Sequence, residues 1–282
     1  MSDLITLLRE HRRRTEPGFV EETGMLRSDD HELLYVMTLP EQPLSKLGVV
    51  ISHSFFETYM FQRTELKLLR RLAAAGVPSI YVQAPGMGDS EGFPRECRCT
   101  HRVAAALSAF ACLDQAIDGL DPCFFGARVG GLVSILAARQ HGGRASLCVW
   151  DPVLDGSAYW KQVARLERIA ATVGRKTGFV EPGRHLAERG RVTLLGVETT
   201  PDQLEDLKTS ASSVHEGGSI RGDALAIALS DGSMPPLRAA LEPMVEGHLA
   251  TVALGLRDPW ALGLRKGDDA IDPTVSWLAG EV

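Results

Sequence analysis

The stretch Phe125-Gly-Ala-Arg-Val-Gly-Gly131 constrains the fold of this chain more than any other. The apolar run that enters it, Pro122-Cys-Phe-Phe-Gly126, reads as a short strand, and residues 131–140 read as a helix. Glycines two residues to either side of Arg128 mark a turn so sharp that a β-carbon at either place would clash. Such a turn thrusts its central residue out at the N-terminus of the following helix. Here that residue is Arg128, a side chain that stays protonated and has no lone pair to attack a carbonyl.

The rest of the chain supplies neighbours for this strand and helix. Further strands are expected near 19–26 and 32–38, then at 47–53, 79–83, 146–150, 223–229 and 248–256. Helical spacing covers 63–75, which Gly76 closes, and also 104–120 and 235–241. Strands alternating with helices imply an α/β fold built on a mainly parallel, doubly wound sheet. Residues 155–215 break the alternation with a helix around 159–173, a Gly-rich stretch and a short helix near 201–207. This segment reads as a lid or cap inserted over the strand ends, where such folds bind ligands. The chain 1–282 is otherwise one domain, long enough to bury a core without disulfides or metals.

Composition narrows the partners. A net charge of −6 argues against nucleic-acid binding, and the run Arg12-Arg-Arg14 reads as a solvated N-terminal segment. None of the five cysteines forms a Cys-x-x-Cys pair, and no Cys/His cluster has zinc spacing, so no metal is expected. Cys123 and Cys148, in apolar runs, read as buried reduced thiols. The first residues show no basic segment followed by a long apolar one, so neither a secretory signal nor a membrane span is expected, and a cytoplasmic location follows.

Three patterns carry a family resemblance. Gln83-Ala-Pro-Gly-Met-Gly-Asp-Ser-Glu-Gly92 resembles the Asp-x-x-Gly-x-Gly-x-Ser turn after the fourth strand of α/β hydrolases. Its spacing, with no helix starting directly on it, argues against a dinucleotide loop, and no cofactor is expected. The Gly-x-Arg-x-Gly turn has the shape of the nucleophile elbow of that fold, where active hydrolases carry Ser, Cys or Asp. The third pattern is an ordered series. It begins with Ser54-Phe-Phe-Glu-Thr-Tyr-Met-Phe-Gln-Arg63 and includes Trp150-Asp-Pro-Val-Leu-Asp-Gly156, Gln162-Val-Ala-Arg-Leu166, Gly196-Val-Glu-Thr-Thr-Pro201 and Asp258-Pro-Trp260. Together these resemble the α/β hydrolases associated with exosortase A systems, in particular the second type, whose elbow also carries arginine. The resemblance departs at Glu57-Thr58, where an acidic pair is expected, and after the last strand, where the aromatic pattern is reduced to Trp260.

A hydrolase triad needs a nucleophile, an acid and a histidine in that order. Asp231 is placed for the acid or for a turn, but the loop Arg257-Asp-Pro-Trp-Ala-Leu-Gly263 contains no histidine. His248 opens the last strand, at the far end of the sheet, and His215 reads as a surface residue. A buried Arg128 needs a carboxylate, for which Glu57 leads, with Asp231 and Asp89 in reserve. Two roles compete: a pair that plugs the old site, or an anion site for a substrate carboxylate or phosphate, either one supported by Arg63. His53 and Ser54 stand in for the usual His-Gly of the oxyanion loop, with Tyr59 and Tyr81 as weaker proton donors. Arg128, Glu57, Asp231 and His53 are thus the catalytic candidates, and Arg128, Ser54, Phe55, Glu57, Arg63, Val129 and Trp260 the binding candidates. The expected partner is a small acyl or anionic molecule; the alternatives are an enzyme of non-serine mechanism, and a structural or homodimer-partner role.

Overall fold

The computed structural model describes residues 12–173, 181–255 and 267–280, without the side chains of 12–15, 58–60, 231 and 267–268. Its strands are β1 (Arg12–Glu16), β2 (Phe19–Ser28), β3 (His31–Pro40), β4 (Leu47–Ser52), β5 (Ser79–Val82), β6 (Asp121–Ala127), β7 (Ser146–Trp150), β8 (Val192–Leu194), β9 (Val197–Thr199), β10 (Ala224–Ala228) and β11 (Leu249–Ala253). Nine of them form one sheet in the order β1-β2-β3-β5-β4-β6-β7-β10-β11. Every pairing from β5 to β11 is parallel, and β1, β2 and β3 add antiparallel strands at one edge.

The helices are α1 (Thr58–Ala74), α2 (Cys99–Ala116), α3 (Val129–His141), α4 (Gly156–Val173), α5 (Pro182–Arg189), α6 (Pro201–Ser213), α7 (Met234–Leu241) and α8 (Gly267–Leu278). They cover both faces of the sheet, which is why β5, β7 and β10 are buried along their whole length. Successive residues of one strand enter opposite cores. Val50 packs with Val103, Ala106 and Leu132 of α2 and α3, while Val49 and Ile51 pack with Leu68 and Leu72 of α1 and Ile271 of α8. In β3, by contrast, Leu33, Tyr35 and Met37 are buried and the residues between them are not.

Three local structures differ from the sequence expectations. The Arg12-Arg-Arg14 run forms part of edge strand β1, turned back by Pro17-Gly18 so that in the strand register Arg13 stands opposite Glu22 and Arg14 opposite Glu21. Opposite charges across the ladder and an edge position suit a basic strand. Helices α1 and α2 each begin about five residues early; at α2 the backbone N–H of Arg98 donates to His101 Nδ1 (3.3 Å) and that of Cys99 to Asp206 Oδ2 (2.8 Å). The Gly-rich part of 155–215 holds α5 and the β8–β9 hairpin.

Candidate functional site

Strands β6 and β7 are parallel neighbours in a register that pairs Ala127 with Trp150, so the next residue on each, Arg128 and Asp151, emerges at the same sheet edge. Both have left-handed backbones, with φ of +54° and +43°. For side chains with a β-carbon this costs about 1–3 kcal/mol each and persists only where the surroundings fix it. The surroundings are a backbone clamp: Arg128 N–H donates to the Trp150 carbonyl (3.0 Å), and Val153 N–H donates to the Arg128 carbonyl (3.1 Å). The flanking glycines are required by contact. A β-carbon on Gly126 would stand 2.2 Å from the Gly130 carbonyl carbon, and one on Gly130 would stand 2.4 Å from the Ser52 carbonyl oxygen. The turn has the sharp elbow geometry, with Val129 buried at the first helical position behind it.

The guanidinium of Arg128 is 9% exposed at the residue level and reaches three elements. Its Nη1 donates to both the carbonyl oxygen (3.0 Å) and the carboxylate Oδ2 (2.5 Å) of Asp151. Its Nη2 donates to Gln162 Oε1 at 2.7 Å, and its Nε donates to Glu57 Oε1 at 3.5 Å. The Tyr159 ring lies 5.4 Å from the guanidinium carbon, and the Tyr159 hydroxyl donates to Glu57 Oε2 at 2.5 Å. Tyr159 and Gln162 sit one turn apart on α4, the spacing that puts two side chains on one helix face. Asp155 fixes the start of that helix by accepting from the N–H groups of Ser157 (2.8 Å) and Ala158 (2.9 Å).

The cluster holds one cation and two carboxylates. Asp151 makes the short contact and supplies the counter-charge. Glu57 is fully buried, and burial raises its pKa against the opposing pull of Arg128 and Tyr159. Asp151 is thus the close partner of Arg128, and Glu57 the deeper and more distant one. The elbow carries neither a hydroxyl nor a thiol, and the donors of the guanidinium are turned into the protein.

Among the sequence candidates, the fold brings Glu57 to Arg128. His53, at the end of β4, is buried, and burial followed by the charge of Arg102 lowers its pKa to about 3, so its imidazole is neutral at neutral pH. Ser54 is buried, with its backbone N–H directed to Glu65 Oε1 at 3.3 Å. Burial raises the pKa of Glu65 to about 8. Phe55 lies under Arg102, with its ring centroid 4.3 Å from the guanidinium carbon. Arg63 is exposed on α1, outside the cluster, and Asp89 is exposed in the glycine turn, where it cannot serve Arg128. Tyr81 is buried, its ring 5.8 Å from that of His53. His215 and His248 are exposed, the latter just ahead of β11. The side chains of Asp231 and Tyr59, and Trp260 with its loop, lie outside the described residues.

Sequence reasoning missed Asp151, Tyr159, Gln162 and Arg102. The signal for Asp151 was its place directly after Trp150 at the end of a strand; for Tyr159 and Gln162 it was their three-residue spacing on one helix.

Solved structures resemble this arrangement throughout its length. Est1E from Butyrivibrio proteoclasticus, described with ferulic acid bound, aligns at a TM-score of 0.64 and 14% identity over 90% of this chain and 97% of its own. A monoacylglycerol lipase from Paleococcus ferrophilus aligns at 0.59 and 15%, over 89% and 100%. XC6422 from Xanthomonas campestris, described as an α/β serine hydrolase without a lid, aligns at 0.55 and 12%, over 93% and 94%. The chain has the α/β-hydrolase fold. At these identities the likeness concerns the fold and not the chemistry. No family model matches the chain, and no curated protein matches its sequence. Among the described residues no helix is long and apolar enough to cross a membrane.

Proposed function

We propose that this α/β-hydrolase-fold protein is catalytically degenerate as an ester hydrolase and binds a small acyl or anionic metabolite in a biosynthetic pathway. One observation carries this reading. In the elbow conformation, where the fold presents a nucleophile, the side chain is an arginine held by Asp151 at 2.5 Å and Gln162 at 2.7 Å. Serine-type acyl transfer needs a nucleophile activated by a base, and this position supplies a cation whose hydrogen bonds are directed to protein groups. The resemblance to the arginine-elbow group of exosortase A-associated hydrolases supports an accessory, cytoplasmic role in biosynthesis. In this reading residues 155–215 form the lid, and α4 closes it onto the old site through Tyr159 and Gln162.

The test is turnover of p-nitrophenyl butyrate and of short acyl-thioesters by the full chain. Rates at the uncatalysed background, the same in Ser54→Ala, are expected. Saturable turnover that scales with protein concentration would overturn the reading.

A second reading is favoured by the short Tyr159–Glu57 hydrogen bond and the raised Glu57 pKa. It is an active hydrolase, acyltransferase or lyase of non-serine mechanism, with Glu57 carrying the proton and Arg128 orienting its partners. Turnover abolished by Glu57→Gln but retained in Ser54→Ala would select this reading over the first.

A further inference from the structure

A second buried arginine lies near the first and is served differently. Arg102, in the first turn of α2, is 5% exposed, and neither its Nη1 nor its Nη2 has a hydrogen-bond partner among the described residues. Two carboxylates of helix α6 are committed elsewhere: Asp206 accepts from Cys99 N–H at 2.8 Å and Asp202 pairs with Arg98 at 3.3 Å. The thiol of Cys97 lies within weak hydrogen-bonding reach of Arg102, but burial raises its pKa, so it supplies no counter-charge. One face of the guanidinium is covered by the Phe55 ring.

The guanidinium borders a cavity of about 10 Å³, lined also by Ser52, His53 and Val82 at the strand ends and by Ala105 and Val133 from α2 and α3. The Ser52 hydroxyl is buried there and also lacks a partner. A buried charge without a partner is costly, and an arginine cannot escape by losing its proton. The cavity is small, so it favours a compact ligand over a large one.

We infer that the cavity between Arg102, Ser52 and His53 is a binding site for a single monoatomic anion of chloride size, held as a structural counter-ion. Guanidinium N–H groups and the Ser52 O–H are all donors, and the remaining walls are apolar; that set recognises a halide over a cation. The site does not rest on the function proposed above, because Arg102 takes no part in the hydrogen bonds of Arg128.

The experiment uses the full chain, exhaustively exchanged into a gluconate buffer of constant ionic strength, and follows thermal unfolding as chloride or bromide replaces gluconate. A saturable rise in Tm with either halide is expected in the wild type. In Arg102→Met the halide dependence should weaken by at least about tenfold, as loss of a native-state ligand site requires. Crystals grown in bromide should show an anomalous peak beside Arg102. No halide dependence in the wild type and no bromide peak would overturn the inference. An equal response to acetate at matched concentration would do the same and reassign the site to a carboxylate. The bromide peak reads the wild type directly, so the inference stays testable even if Arg102→Met does not fold.

Discussion

Arg128 and Arg102 are both at least nine-tenths buried at the same end of the sheet, yet they are held by different means. Arg128 has its counter-charge built into the fold: β6 and β7 end in register, and the residues that follow form an ion pair at 2.5 Å. Around it Glu57, Tyr159 and Gln162 complete the hydrogen bonding. Arg102 has an aromatic ring and a small cavity beside it in place of a carboxylate. The difference teaches that a buried charge is a permanent part of the structure only where neighbouring backbone fixes its partner. Elsewhere it becomes a place for a diffusible ion. A paired buried charge is also one whose removal hurts, because the partner is left behind.

Four perturbations would break or sharpen this contrast. The largest expected effect concerns Glu65, a carboxyl as fully buried as Glu57, which in this account is kept neutral and balances neither arginine. Its folded pKa is raised to about 8 from an ordinary 4.5, so its contribution to stability is complete below pH 4.5 and is lost as pH rises through 8. That loss amounts to at most about 5 kcal/mol by the conversion of pKa to free energy. Urea denaturation of Glu65→Gln should show a much flatter profile between these pH values than the wild type. An unchanged profile would place an ionised carboxylate in the interior and blur the contrast.

Next comes Arg128→Met, which strands Asp151 and Glu57. A loss of about 3–5 kcal/mol in urea denaturation is expected, as for other buried pairs deprived of one partner. Tyr159→Phe removes only the hydroxyl that donates to Glu57 and should cost about 1–3 kcal/mol, read in the same way. Arg102→Met should be the mildest in halide-free buffer, within about 1 kcal/mol of the wild type, since it removes an unpaired charge and strands no carboxylate. If Arg102→Met and Arg128→Met cost the same, the two arginines are not different in kind.

Legibility from sequence follows the same physical line. The strands buried on both faces, such as Leu47–Ser52 and Ala224–Ala228, announce themselves as unbroken apolar runs. The elbow is equally plain, because two backbone contacts shorter than 2.5 Å to would-be β-carbons force glycine at 126 and 130. Edge strand β1 was hidden by three arginines, whose pairing depends on a turn and not on apolar content. The choice of Asp151 over Glu57 as the close partner rests on the register between β6 and β7, a long-range property that no local pattern encodes. Arg102 escaped notice for a related reason. The alanine spacing that starts a helix at Ala104 leaves it outside, while the real first turn is capped by His101 and by Asp206 from another helix.

The account stands or falls on the elbow arginine being a neutralised structural pair. A double-mutant cycle of Arg128→Met and Asp151→Asn, measured by urea denaturation at pH 7, tests this most directly. The prediction is a coupling of about 2–3 kcal/mol, with the double variant recovering part of what Arg128→Met alone loses. Additive losses, with a coupling below about 0.5 kcal/mol, would mean that Asp151 is no partner and that the guanidinium is held for something outside the protein.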